Sequence, residues 1–115
     1  VLGGTTVVVN GKIVQHTVTF KNENEIFEIA DLFKMFADST RVKILLSLFE
    51  NELNVGEITK AVGATQTAVS HQLRALKHSH LVKCRREGKN IYYSLADDHV
   101  KKIMDMGFEH ILERG

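Results

Sequence analysis

The sequence predicts a mainly α fold that carries one small β-hairpin. Three observations lead there. Beyond residue 24, apolar residues recur at helical spacing and are broken by short turns with cap residues. One basic stretch, LVKCRREGKNIYYSL (81–95), alternates instead and carries aromatics around Gly88-Lys89, as two short strands do. The last stretch, DDHVKKIMDMGFEHILE (97–113), is helical again, with His and carboxylate groups at both ends.

Taken in order, residues 1–24 form an arm or a hairpin. The run TTVVV-NG-KIVQHTVTF has β-branched residues on both sides of Asn10-Gly11, a strong two-residue turn signal. An isolated hairpin is marginal in water, so an arm held by a partner fits the same residues. Residues 25–115 read as one further domain. EIFEIADLFKMF (25–36) is a helix with Ile26, Ile29, Leu32, Phe33 and Phe36 at apolar spacing. A second helix follows, capped by Asp38 or Ser39. It is apolar on most sides through Val42, Ile44, Leu45, Leu46, Leu48 and Phe49, and so predicts the central core helix. Asn54 with Glu57 three residues on is a capping box opening a short helix to about Val62. Gly63-Ala64 then turns the chain, and Thr65 caps TQTAVSHQLRALKHS. Ala68, Val69, Leu73 and Leu76 are its apolar positions; Gln66, Thr67, Ser70, His71, Arg74 and Lys77 fall on the other face. Two helices joined by a short Gly-containing turn make a helix-turn-helix. The basic hairpin directly after it makes a wing, so the fold class is a winged helix-turn-helix.

Composition excludes several classes. The 115 residues are 43% hydrophobic and 25% charged, ordinary for a globular protein. No apolar run is long enough to span a membrane, and the first residues carry no secretory pattern. A single cysteine, Cys84, leaves neither an intramolecular disulfide nor a thiolate-rich metal site. These features point to the cytoplasm, with no membrane partner and no small-molecule substrate. The net charge of +1 hides a segregation. Residues 58–96 hold seven Lys/Arg against one Asp/Glu, a net of +6, whereas residues 97–115 hold three against five, a net of −2. The confined positive segment is the footprint of a nucleic-acid surface. Its base-facing candidates are Gln66, Thr67, Ser70 and His71, with Thr65 at the helix start. Its phosphate-facing candidates are Arg74, Lys77, Lys83, Arg85, Arg86 and Lys89.

The final helix poses a geometric problem. His99, His110 and Glu113 share a face away from the apolar stripe of Val100, Met104, Phe108, Ile111 and Leu112. His99 and His110 are about 16 Å apart along the axis, far beyond what one ion can bridge. Two copies crossing antiparallel would bring Asp97 and His99 of one to His110 and Glu113 of the other. Two identical N2O2 sites would result, a set suited to tetrahedral zinc, with Ile103 and Met106 packed at the two-fold axis. The same side chains also fit an ordinary amphipathic helix with surface His and carboxylates. His16, in the first segment, is a surface histidine or an auxiliary ligand.

The chain resembles the ArsR/SmtB family of metal-sensing winged-helix repressors. The resemblance covers about residues 25–115. It rests on FADSTRVKIL (36–45), TQTAVSHQLRALKHSHLV (65–82), EGKNIYYSL (87–95) and the final helix, where Asp97-x-His99, ten residues, then His110-x-x-Glu113 is similar to the pattern of the zinc-sensing branch. That resemblance implies a homodimer paired through its terminal helices. It implies binding to a palindromic operator, repression of a metal-efflux or detoxification gene, and release when two zinc ions bind per dimer. The Cys-x-Cys that many relatives carry is replaced here by Leu53-Asn-Val-Gly-Glu57, so thiolate sensing of arsenite, lead or cadmium is not expected. Ser39 stands where relatives often have Pro. A link between metal and DNA surface is expected from His110 to the backbone near His80, because a ligating His usually donates its other N–H. His78 and His80, at a helix C-terminus, otherwise read as dipole partners. Three rivals share these residues: a small zinc hydrolase, a winged-helix regulator without metal response, and a nickel or cobalt sensor whose coordination His16 or the N-terminus expands. Four ligands close the site and no nucleophile constellation is visible, so enzyme activity is not expected.

Overall fold

The computed structural model describes residues 22–114 in full and the backbone of residues 2–9 and 12–19. The chain divides into two units, Val1–Lys34 and Met35–Gly115. In the first unit β1 (Leu2–Val9) pairs antiparallel with β2 (Lys12–Thr19), in register from Leu2↔Thr19 to Val9↔Lys12. This is the hairpin the β-branched runs imply. The Asn10-Gly11 turn and the His16 side chain lie outside the described residues. Helix α1 spans Glu23–Met35, two residues earlier than the apolar spacing suggests. The reason is Asn22, whose Oδ1 accepts from the N–H groups of Asn24 (2.9 Å) and Glu25 (3.3 Å). Helix α1 buries none of its residues, and Phe27, Ile29 and Phe33 are more than half exposed.

In the second unit α2 (Ser39–Ser47) is capped by Asp38, whose carboxylate accepts from Arg41 N–H at 3.1 Å. Ile44 and Leu45 are fully buried and Leu48 nearly so, while Leu46 remains 38% exposed. This is the central helix, with one open side. Two residues, Leu53–Asn54, form β3. Asn54 then caps α3 (Val55–Val62) in a complete capping box with Glu57. Gly63 closes α3 at φ +75, a conformation glycine adopts without strain, and its N–H reaches Thr59 O at 2.9 Å. Helix α4 (Gln66–His78) follows, then β4 (Val82–Glu87), β5 (Asn90–Leu95) and α5 (Asp98–Glu113).

The wing is a three-stranded antiparallel sheet in the order β3-β5-β4, not a lone hairpin. Leu53 and Asn54 pair with Tyr93 and Tyr92, so the entry to α3 is stitched to the wing. The hairpin turn is Gly88-Lys89, with Gly88 at φ +62. The core gathers Ile44, Leu45, Leu48, Ile58, Val69, Leu73, Leu76, Leu81, Val82, Val100 and Met104 from all four helices of this unit and the first wing strand. No helix among the described residues is long and apolar enough to cross a membrane.

Candidate nucleic-acid interface and metal half-sites

Helix α4 is set by both ends and one face. Thr65 accepts from Ala68 N–H at 3.1 Å, which starts the helix and fixes its phase. Val69, Leu73 and Leu76 are fully buried and anchor the inner face. Arg41 ties this helix to the start of α2, donating from Nη1 to Gln72 Oε1 (3.3 Å) and from Nε to Met35 O (3.0 Å). The C-terminus closes with two backbone bonds, His80 N–H to Lys77 O (3.1 Å) and Leu81 N–H to Leu76 O (2.9 Å). This is a Schellman closure, and His80 takes its left-handed position at φ 60, where glycine is usual.

What remains outward is the set expected from the sequence. Gln66, Thr67, His71, Arg74 and Lys77 are exposed and Ser70 is half-buried. Gln66, Thr67, Ser70, His71 and Arg74 together line one shallow open depression. Ala68, expected inward, is exposed, because it lies about 100° around the helix from Val69 and outside the buried arc. An α-helix presenting such a polar, cationic face fits the major groove.

The wing departs from expectation at one cation. Lys83, Arg86 and Lys89 are exposed, but Arg85 is engaged. Its Nε donates to both oxygens of Glu52 (2.9 and 3.0 Å), its Nη1 donates to Glu87 (2.7 Å), and its guanidinium stacks over the Tyr92 ring at 4.9 Å. The hydrogen bond from Arg85 holds the Glu52 carboxyl below the usual carboxylate range. In turn the bonds to Glu52 and then Glu87 push the guanidinium further up. The sequence gives no sign of this pairing, because the partners lie 33 residues apart. Cys84 is half-buried opposite Tyr93. Beside the wing base, a hollow lined by Glu50, Glu52, Lys83, Asp97, Asp98 and Lys101 runs up to the start of α5.

Helix α5 divides at its middle. Val100 and Met104 are buried, yet Met106 (65%), Phe108 (40%), Ile111 (51%) and Leu112 (80%) are exposed. The periodic apolar stripe is real, but only its first half meets this chain's core. Asp97 caps the helix, with Oδ1 accepting from His99 N–H at 2.9 Å and lying 3.4 Å from His99 Nδ1. The structure therefore brings Asp97 and His99 together, with the His99 side chain 84% exposed. His110 and Glu113 are exposed one turn apart at the other end. Among the described residues no three His, Cys, Asp or Glu groups converge on one point, and no hydrogen bond joins His110 to the backbone of His80. Each end offers one imidazole and one carboxylate, hard and borderline donors of the kind that suit a divalent ion, but neither pair would suffice alone.

Comparison with known proteins places this geometry. The description "bacterial regulatory protein, arsR family" matches residues 38–83, from the cap of α2 to the first wing strand. The chain is 41% identical over 86 residues to a transcriptional repressor SmtB homolog from Synechocystis, covering 75% of this chain and 65% of that one. It is 44% identical over 85 residues to a cadmium resistance transcriptional regulatory protein CadC homolog from Staphylococcus aureus, covering 72% and 69%. The chain thus spans about two thirds of the length of these curated relatives. Among structures, it is similar to a homodimeric winged helix-turn-helix DNA-binding domain from Mycobacterium bovis, with a TM-score of 0.72, 31% identity, and coverage of 81% and 89%. A DNA-binding helix-turn-helix with a three-stranded wing, matched in sequence and in shape, establishes that the chain belongs to the ArsR family of bacterial regulatory proteins, which are transcriptional regulators and not enzymes.

Proposed function

We propose that the chain is a metal-responsive repressor. It acts as a homodimer on a palindromic operator and is released when zinc binds at two equivalent sites on the terminal helices. Each site takes Asp97 and His99 of one protomer and His110 and Glu113 of the partner subunit. The observation that carries this reading is helix α5 itself. Its two ends hold exposed, complementary half-sites on one face, and on that face between them lies Met106, 65% exposed. An apolar face flanked by incomplete ligand sets is completed in one step by an antiparallel second copy. The relatives named above, one a repressor and one a cadmium-resistance regulator, support a metal-linked role.

In this reading Gln66, Thr67, Ser70 and His71 meet base edges, with Thr65 at the helix start. Arg74, Lys77, Lys83, Arg86 and Lys89 meet phosphates. Bound zinc supplies a cross-link that favours one angle between protomers. If that angle seats the two α4 helices poorly in successive major grooves, zinc and DNA weaken each other equally, typically by about 1–3 kcal/mol. In the metal-bound dimer His110 relays this by donating to the backbone at the end of α4, near His80, a bond absent from the single chain. A nickel or cobalt ion on the same framework, with His16 expanding the coordination, remains the alternative, and a tetrahedral or octahedral cobalt spectrum separates the two. The protein would work in the cytoplasm, where its DNA is.

The test is duplex binding by fluorescence anisotropy with and without zinc, at one fixed salt concentration. The proposal expects binding by the metal-free dimer and a roughly tenfold or greater loss with zinc. Unchanged affinity in saturating zinc removes the metal response and leaves a winged-helix regulator of another kind.

A further inference from the structure

We propose that Arg85 is a positioning residue that locks the wing against the entry to α3, and that Arg86 and Lys89 supply the wing's grip on the phosphate backbone. The inference rests on the DNA-binding reading above. Arg85 lies on β4, an outer strand of the sheet, and its register partner on the middle strand is Tyr92. Tyr92 is also the register partner of Asn54, on the other outer strand. Glu52 stands two residues before Asn54. The guanidinium therefore reaches across the ring of the middle strand to a carboxylate at the far edge, and both carboxylate oxygens are engaged by its Nε. Glu87, two residues along the same strand, takes Nη1.

This bridge compensates for a weak joint. Strand β3 is only two residues long, too short to hold the wing's orientation through its backbone pairs alone. Asn54 ends β3 and caps α3 at once, so whatever fixes β3 against β5 also fixes the wing relative to the helix-turn-helix. The planar fork of an arginine suits this task because it meets a carboxylate with two bonds and stacks on an aromatic face. The same engagement disqualifies it as a phosphate contact. Between Glu52 and Glu87 its charge is more than offset, and a phosphate would have to compete with two carboxylates for it. Arg86 points to the opposite side of β4, Lys89 sits at the hairpin turn, and neither has an ion pair among the described residues.

Two measurements decide the matter. The first follows binding of a mixed-sequence DNA duplex across a salt series, since phosphate contacts are independent of sequence and each contributes about −0.9 to the slope of log affinity against log salt. Arg86→Gln and Lys89→Gln should each flatten the slope by about that amount per protomer. Arg85→Met and Arg85→Lys should both weaken binding several-fold with the slope unchanged. Glu52→Gln should weaken binding too, and Arg85→Met with Glu52→Gln together should cost no more than either alone. A flattened slope in Arg85→Met, wild-type behaviour in Arg85→Lys, or tighter binding in Glu52→Gln overturns the proposal. The second needs no DNA. Amide hydrogen exchange at Leu53 should quicken in Arg85→Met and in Glu52→Gln while the buried amides of α4 stay protected. Unaltered exchange there overturns the lock, whereas a wild-type protein that binds no duplex overturns only the DNA-binding reading.

Discussion

Met106→Ala separates an interface residue from a fold residue. Met106 is 65% exposed in the single chain, so its truncation removes little that the protomer itself uses. In the proposed dimer it packs at the two-fold axis, on the face that carries His99 and His110. The change deletes three side-chain heavy atoms at about 0.8 kcal/mol each, and scaling by the exposed share gives about 1.5 kcal/mol per copy. A two-fold interface uses every residue twice, so the dimer loses up to about 3 kcal/mol, or about two orders of magnitude in dissociation constant. Sedimentation over a dilution series reads this directly. Leu73→Ala is the contrasting variant. Leu73 is fully buried, so its loss should cost the fold about 2–5 kcal/mol wherever the subunits meet. The reasoning fails if Met106→Ala dimerises as tightly as the parent, because the ligand-bearing face of α5 would then be covered by something else or by nothing.

Further predictions concern the metal, the helix end and acid. His99→Ala and His110→Ala should each abolish tight zinc binding measured by competition with a chelator, since either substitution damages both sites of the symmetric dimer; one variant retaining full affinity would exclude the shared site. His80→Gly should raise the denaturant midpoint, stabilising by about 0.5–1 kcal/mol, because glycine takes a positive φ without strain; a lower midpoint would contradict the strain at φ 60. Glu52 carries a depressed folded-state pKa. Its contribution to stability is therefore full above the ordinary value of 4.5 and is lost as pH falls through the lower folded value. Replacing Glu52 with Gln should flatten that acid limb in denaturant titrations below about pH 5, and an unaltered limb would mean the pair contributes nothing.

Much of the fold was legible because its boundaries are written in local chemistry. Asp38, Asn54 with Glu57, and Thr65 each announce a helix start within four residues, and all three cap as expected. The outward face of α4 followed from helical phase alone. The features that escaped are non-local. A two-residue strand such as Leu53–Asn54 has no alternation to detect, and it exists only because Tyr92 and Tyr93 pair with it. Asn22 was overlooked as a cap because the apolar spacing begins later. Arg85 counted as one more cation in a basic run until the fold brought Glu52 to it. Helix α5 shows the limit most clearly. Its periodicity reports that one side is apolar but not what covers it, and its candidate ligand pairs lie at opposite ends of one rod, so in the proposed reading they meet only through a second chain.

Asn54 has a consequence for how such a chain can change over time. One residue ends a strand and begins a helix, with Tyr92 beside it and Glu57 closing the cap. Slipping that strand by a single position would turn its side chains over and uncap the helix together. Insertions between residues 52 and 57 should therefore be poorly tolerated, while the tip at Gly88-Lys89 can lengthen or shorten freely. Wings of differing reach can then arise on an unaltered base, each sampling a different stretch of backbone beside the same pair of grooves.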